Sequence, residues 1–241
     1  MPRRARLSLP GVTWHILQRG NNRADCFFAD EDYQYYLAQL PDLCTRFDCA
    51  LHAYVLMSNH VHLLLTPNYA DSAAQLMKNL GQRYVQYVNR TYRRSSTLWE
   101  GRFRSSLVQV QHYLLRCYRY IELNPVRANM VEHPAGYRWS SYSVNAEGKQ
   151  STLITPHAEY LALGSGEVIR RQRYADIFRT EIDEVELKDI RAAVNGGYAF
   201  GGERFKNEIA AALGRRVAPA VGGRPAGASH GLDDKQQELS L

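Results

Sequence analysis

The sequence predicts an α+β fold: an antiparallel sheet with helices packed on one face, continued by a helical extension. Three observations predict it. Segments rich in β-branched and aromatic residues alternate with segments of helical periodicity in the order β-α-β-β-α-β, followed by a further helix, which is the split βαβ pattern. Two strand-like segments, 50–57 and 60–65, are separated only by Ser58-Asn59, the spacing of a tight antiparallel hairpin. Beyond residue 150 only helical periodicity remains.

Val12-Thr13-Trp14-His15-Ile16-Leu17 is β-branched and aromatic and stops at Gly20-Asn21-Asn22, so it reads as a first strand and a turn. Asp30 is placed to cap a helix reaching about Phe47, with Tyr33, Tyr36, Leu37, Leu40 and Leu43 along its buried side. Ala50 to Met57 and His60 to Leu65 form the hairpin. Asp71 or Ser72 starts a long helix through Leu76, Leu80, Tyr84, Tyr87 and Val88, ending between Arg93 and Ser96. Leu107 to Val110 is a short strand, and Gln111 or His112 leads into a tyrosine-bearing helix. A short helix begins at Pro125, followed by the aromatic segment Tyr137 to Tyr142 and a polar break at 145–148.

In the extension, Thr155-Pro156 is a helix start, and Ser165 opens a helix carrying Val168, Ile169, Tyr174 and Phe178. Asp183 to Val194 forms the next helix, stopped by Gly196-Gly197, and Glu203 to Leu213 another before Gly214. From Arg215 the chain is rich in Gly, Ala, Pro and charge and reads as a disordered tail. The expected division is therefore 1–150 for the sheet domain, 151–214 for the helical extension and 215–241 for the tail.

A chain of 241 residues with 45% hydrophobic content and mean hydropathy −0.43 can bury a substantial core. No apolar run approaches the ~18 residues of a membrane span. Leu7-Ser8-Leu9-Pro10 is too short and interrupted for a signal-peptide core, so a cytoplasmic protein with no membrane partner is expected. The four cysteines include no Cys-x-x-Cys pair, which argues for reduced, mostly buried thiols. A net charge of +6 and a pI near 9.2 permit a polyanionic partner. Distribution says more: Lys78, Arg83, Arg90, Arg93, Arg94, Arg102 and Arg104 occur with only Glu100 as an acid among them, interleaved with Tyr84, Tyr87, Tyr92, Trp99 and Phe103. Cations that hold phosphates beside rings that stack on bases suit single-stranded or hairpin nucleic acid. The competing reading is a solvated helix whose tyrosines lie against the core.

Two short pieces carry the chemistry. Along a strand, His60 and His62 point to one face while Val61 points to the other, so two imidazoles sit side by side as a metal requires. Along a helix, Tyr120 and Asn124 lie about 40° apart on one face. Tyr118 is rotated by about 200° from Tyr120, and Tyr113 shares its face but lies about 10.5 Å earlier along the axis. Asn124 also stands before Pro125, where a helix N-cap is a competing role. His15 is open to two readings, a third ligand or a half-buried strand residue. Glu122, more than half a turn from Tyr120, reads as solvated.

The His-hydrophobe-His strand, followed by a helix with Tyr before Ile121-Glu122-Leu123-Asn124-Pro125-Val126-Arg127-Ala128, resembles the single-tyrosine HUH transposases, and within them the REP-associated tyrosine transposases. Supporting stretches are Arg19-Gly20-Asn21-Asn22-Arg23, Trp99-Glu100-Gly101-Arg102-Phe103 and Tyr137-Arg138-Trp139-Ser140-Ser141-Tyr142, so the likeness spans most of residues 10 to 143. The resemblance implies a ferredoxin-like core with its sheet order, and residues 1–150 as the catalytic domain. It implies Tyr120 as nucleophile, His60, His62 and Asn124 as ligands of Mg²⁺ or Mn²⁺, and a 5′-phosphotyrosine formed on hairpin-forming single-stranded DNA. Arg3, Arg4, Arg6, Arg19, Arg23, Arg102 and Arg104 are candidates for phosphate or base contacts, with Arg83 from the basic helix, and the resemblance implies a DNA contact from basic residues near the N-terminus. Monomer and homodimer both remain open. Two other functions compatible with these residues are a nucleic-acid-binding regulator without turnover and a metal phosphodiesterase using activated water.

Overall fold

The computed structural model describes residues 5–219. Arg3, Arg4 and most of the expected tail lie outside the described residues. Four strands, β1 (Thr13–Arg19), β2 (Cys49–Leu56), β3 (His60–Pro67) and β4 (Arg104–Val108), form one antiparallel sheet in the order β2-β3-β1-β4. The hairpin joins β2 to β3, and β1 lies between β3 and β4. Strand alternation divides the side chains between two faces.

On the first face Trp14, Ile16, Leu51, Leu56, Val61, Leu63, Leu65 and Leu107 pack against α1 (Asp30–Arg46) and α2 (Ser72–Thr91), which supply Tyr36, Leu40, Leu43, Leu76, Leu80 and Tyr84. Each fully buried leucine here contributes roughly 1.5–3 kcal/mol. Helix α1 begins at Asp30, so Asp30 is not its cap. Asp32 instead folds back, its carboxylate accepting from the backbone N–H of Phe28 and Ala29 at 2.7 and 3.0 Å.

The second face is covered as well. Ala53, Val55, Leu64 and Val108 lie under α3 (His112–Glu122), through Leu114, Cys117, Tyr118 and Ile121. The extension adds Tyr160 from α6 (Ala158–Leu161), Tyr174 from α7 (Glu167–Asp176), and Leu187 and Ile190 from α8 (Glu184–Gly196). The physical reason is visible in β2 and β3, whose apolar runs are buried almost without alternation, as in strands covered on both sides.

Both sheet edges are also covered. Leu56 donates to Trp139 and Ser141 donates to Tyr54 along the free side of β2, at 2.9 and 3.0 Å. On the free side of β4, Phe200 donates to Leu107 at 2.7 Å and Gln109 donates to Phe200 at 2.9 Å. Unpaired strand groups are thereby satisfied without a further strand. Two short helices, α4 (Asn124–Arg127) and α5 (Tyr142–Asn145), follow α3, and α9 (Glu203–Leu213) follows α8. Gly197, at the end of α8, has φ +67°, the left-handed conformation in which a side chain would be strained.

Candidate active site

The second face carries the histidines. On β3, His60 pairs with Arg19 and His62 with Leu17; His15 on β1 pairs with Leu64. His15, His60 and His62 therefore project to one side of the sheet. His15 Nε2 and His62 Nδ1 lie 2.8 Å apart, and their rings stack with centroids 5.0 Å apart. His60 and His62 meet edge to face, with centroids at 5.1 Å. His15 is fully buried, so it is not a half-buried strand residue, and its Nε2 faces His62 Nδ1, which makes it a partner of His62.

Helix α3 brings Tyr120 onto this group. Its ring centroid is 5.6 Å from those of both His15 and His62, and it is 5% exposed at the floor of a cleft of about 550 Å³. Tyr118 turns the other way, as the helical repeat requires, and its ring meets Tyr174 at 5.8 Å. Tyr113 packs on Phe200 at 5.1 Å. Asn124 lines the same cleft. Its side chain does not cap α4; Nδ2 donates back to the Tyr120 and Ile121 carbonyls at 3.1 and 3.4 Å, closing the end of α3. Arg127 donates to the Tyr120 carbonyl at 2.9 Å and sets its guanidinium 4.4 Å from the Tyr120 ring centre.

Charge and hydrogen bonding define what these groups can hold. Burial lowers the pKa of His15 to about 3 and of His60 to about 4, and pushes His62 well below its usual value. Arg127 reinforces all three shifts, and Arg19 those of His60 and His62. All three imidazoles are thus neutral at pH 7. Asn59 Nδ2 donates to the Arg23 carbonyl at 3.1 Å, which turns its Oδ1 toward His60 Nδ1 at 2.6 Å. An amide oxygen can only accept, so the His60 proton sits on Nδ1 and Nε2 keeps its lone pair. The two Nδ2 bonds of Asn124 likewise leave its Oδ1 free, and this amide is a polar neighbour of His60. An imidazole lone pair and an amide oxygen near each other, with no proton to share, fit a cation. In the tautomer in which His62 Nδ1–H donates to His15 Nε2, Nε2 of His62 keeps its lone pair as a second nitrogen donor. Among the described residues no three His, Cys, Asp or Glu side chains are arranged to hold a metal ion by themselves; in the set described here the third donor is an amide.

The remaining expected residues fall into three places. Arg19 and Arg23 line the cleft with His60. Arg104 borders the neighbouring groove, donating to Asn195 at 2.8 Å, and Arg102 lies beyond it beside Arg6, which stacks on Phe103 at 3.6 Å. Arg83 is elsewhere, on the opposite side of the sheet, where it pairs with Asp42 at 3.0 Å and Gln39 at 3.1 Å between α2 and α1.

The aromatic residues interleaved with these cations are mostly packing groups. Tyr84 is buried with its hydroxyl on the Cys26 carbonyl at 2.6 Å, Tyr87 stacks on Tyr35 at 4.0 Å, and Trp99 is buried. Their spacing reflects the contact between α1 and α2, so they offer no row of free rings.

Glu122 is not solvated. It is fully buried and accepts from Ser141 at 2.5 Å, Asn145 at 2.9 Å and Tyr174 at 2.7 Å. Asn145 belongs to this network and not to an exposed break. Burial raises the carboxyl pKa to about 7 against the opposing pull of its three donors. Residues that sequence reasoning missed are Arg127, three positions past Asn124 in the same motif, and Arg191 and Asn195 of α8, which line the cleft. Only their separation by one helical turn could have linked the last two.

The solved structure of a REP-associated tyrosine transposase bound to a REP hairpin superposes with a TM-score of 0.54 at 15% identity, over 66% of this chain and 93% of that one. A putative transposase from Deinococcus radiodurans R1 gives a TM-score of 0.35 at 19% identity, over 54% and 92% of the two chains. No curated protein sequence matches. The first superposition bears on the fold, an α+β sheet with its helices. Residues 8–124 match the family described as transposase IS200 like, and this segment holds the whole sheet, both histidines of β3, Tyr120 and Asn124.

Proposed function

We propose that the protein is a metal-dependent enzyme that nicks and rejoins single-stranded DNA at hairpin-forming repeats, with Tyr120 as the nucleophile. The observation that carries this reading is the convergence of Tyr120, two neutral strand histidines and Asn124 in one cleft bordered by Arg19 and Arg23. The oxygen of Tyr120 attacks the scissile phosphorus and forms a P–O bond as the bond to the 3′ oxygen breaks. The phenol proton is lost to solvent, and the departing 3′ oxygen takes one up. A 5′-phosphotyrosine and a 3′-hydroxyl result, and attack by a 3′-hydroxyl reverses the step without an external energy source.

A phenol titrates near ~10 when free, so it is a weak nucleophile at neutral pH without help. Arg127 fixes the end of α3 on which Tyr120 stands, and Arg19 and Arg23 hold strand phosphates. His60, His62 and Asn124 would hold Mg²⁺ or Mn²⁺; neutral nitrogen and oxygen donors with room for water suit either ion better than a closed zinc site. When bound, such an ion polarises a phosphate oxygen and offsets charge building on the phosphate. Hairpin repeats as substrate are supported by the shared fold of the REP-associated enzyme bound to its hairpin.

The test uses protein, Mn²⁺ and an end-labelled hairpin oligonucleotide with single-stranded flanks. A covalent adduct is expected that Tyr120→Phe and EDTA abolish and Tyr118→Phe retains. An adduct that survives Tyr120→Phe would overturn the assignment, and tight binding with no adduct under any metal would leave a DNA-binding regulator.

A further inference from the structure

We propose that Arg191, on helix α8, is a phosphate-binding residue of the Tyr120 cleft, so that the C-terminal extension forms part of the nucleic-acid site. This rests on reading the cleft as the place where Tyr120 meets DNA. Helix α8 lies outside residues 8–124, the segment matched to the family. Its apolar side, Leu187, Ile190 and Val194, is buried against the second sheet face, which fixes the rotation of the helix. That rotation carries Arg191 and Asn195, four residues apart and therefore neighbours on one surface, to the rim of the cleft that Tyr120, His60 and His62 line.

Charge distinguishes this arrangement from an ordinary solvated arginine. Among the described residues Arg191, Arg19, Arg23 and Arg127 have no carboxylate within ion-pair distance, although all four border or touch one small space. Arg191 is near enough to Arg127 to help lower the Arg127 pKa, after burial and against the influence of Tyr120, to about 10. The nearest acid along the groove, Glu100, is taken by Arg104 at 3.5 Å. Four guanidinium groups around a nucleophile, left uncompensated by the protein, are complementary to consecutive phosphates of a strand. Asn195 is oriented to join them, since its Oδ1 accepts from Arg104 at 2.8 Å and its Nδ2 is left to donate.

The experiment separates binding from chemistry. In a Tyr120→Phe background with EDTA present, binding of a fluorescent hairpin with single-stranded flanks is followed by anisotropy across a salt series. Adding Arg191→Ala is expected to weaken binding about ten-fold and to reduce the slope of log K against log salt by roughly 0.7–0.9, the loss of one phosphate contact. Arg191→Lys restores the slope. Arg191 is exposed, so the melting temperature stays unchanged and serves as the folding control. An unchanged slope and affinity in Arg191→Ala, or no binding by the parent protein, overturns the proposal. If instead wild-type protein forms no adduct while Arg191→Ala still lowers the slope, the nicking mechanism fails and the phosphate role of Arg191 stands.

Discussion

Exchanging Glu122 for glutamine tests whether a buried carboxyl ties the nucleophile helix to the rest of the molecule. Glu122 is two residues from Tyr120 and receives donors from α5, through Asn145, from α7, through Tyr174, and from Ser141. Its pKa rises from 4.5 to about 7 because burial outweighs those hydrogen bonds. Between these values the folded protein binds a proton at this site that the unfolded chain has released, so stability from this group falls as pH rises from about 4.5 to about 7. Each tenfold change in proton affinity is worth about 1.4 kcal/mol, so wild type is handicapped at pH 8 by up to roughly 3 kcal/mol relative to acid pH. Glutamine keeps the shape, carries no charge and cannot titrate. At pH 4.5 the variant should be less stable by about 1 kcal/mol, since one amide cannot reproduce every bond of the carboxyl group. At pH 8 it should be the more stable protein. The assay is urea unfolding of both proteins at the two pH values, and only the difference is read, so all other titrating groups cancel. A difference that does not change with pH, or that moves against the variant as pH rises, would mean that the donors and not burial set the pKa of this carboxyl.

Two further outcomes follow from the histidines. Replacing His15 with leucine removes the 2.8 Å partner of His62 Nδ1 while keeping the site apolar; loss of such a partner should weaken Mn²⁺ affinity of DNA-free protein about 10- to 100-fold, measured by electron paramagnetic resonance, and undiminished affinity would deny His15 that role. His15, His52, His60 and His62 all have folded pKa values lowered below 6.5, chiefly by burial. Their contribution to stability is complete above about pH 6.5 and is lost as pH falls toward 4, because the unfolded chain takes up protons that the fold excludes. This opposes the Glu122 trend and outnumbers it. Metal-free wild type should therefore lose stability on acidification, and a urea midpoint unchanged between pH 7 and 4.5 would contradict the buried, neutral state of these rings.

What the sequence made legible was local. The strand alternation that sets His60 and His62 together, and the helical repeat that parts Tyr120 from Tyr118, are properties of a few consecutive residues and appear in the structure as written. The cover on the second sheet face is harder to see. The run His62 to Leu65 buries both of its faces, a pattern of two-sided packing that an expectation of helices on one face does not accommodate. The tyrosines of α2 mislead in the opposite sense, since composition cannot tell a stacking platform from the seam where two helices meet.

Glu122 and Arg191 mark where local reasoning ends. A helix position half a turn from the functional face is solvated only if nothing packs there, and α3 has the sheet on one side and α5 and α7 on the other. Helical periodicity alone gives this carboxyl group to water, because nothing within α3 shows where the extension packs. Arg191 is the reverse case: its sequence neighbours identify a surface residue, and it is one, but that surface is the rim of a cleft whose floor comes from residues 60 to 124. Both follow from one packing event, the descent of the extension onto the second sheet face. The face that is hardest to read from sequence is therefore the one on which Tyr120 stands, and its electrostatics belong jointly to the family-matched segment and to the helices that follow it.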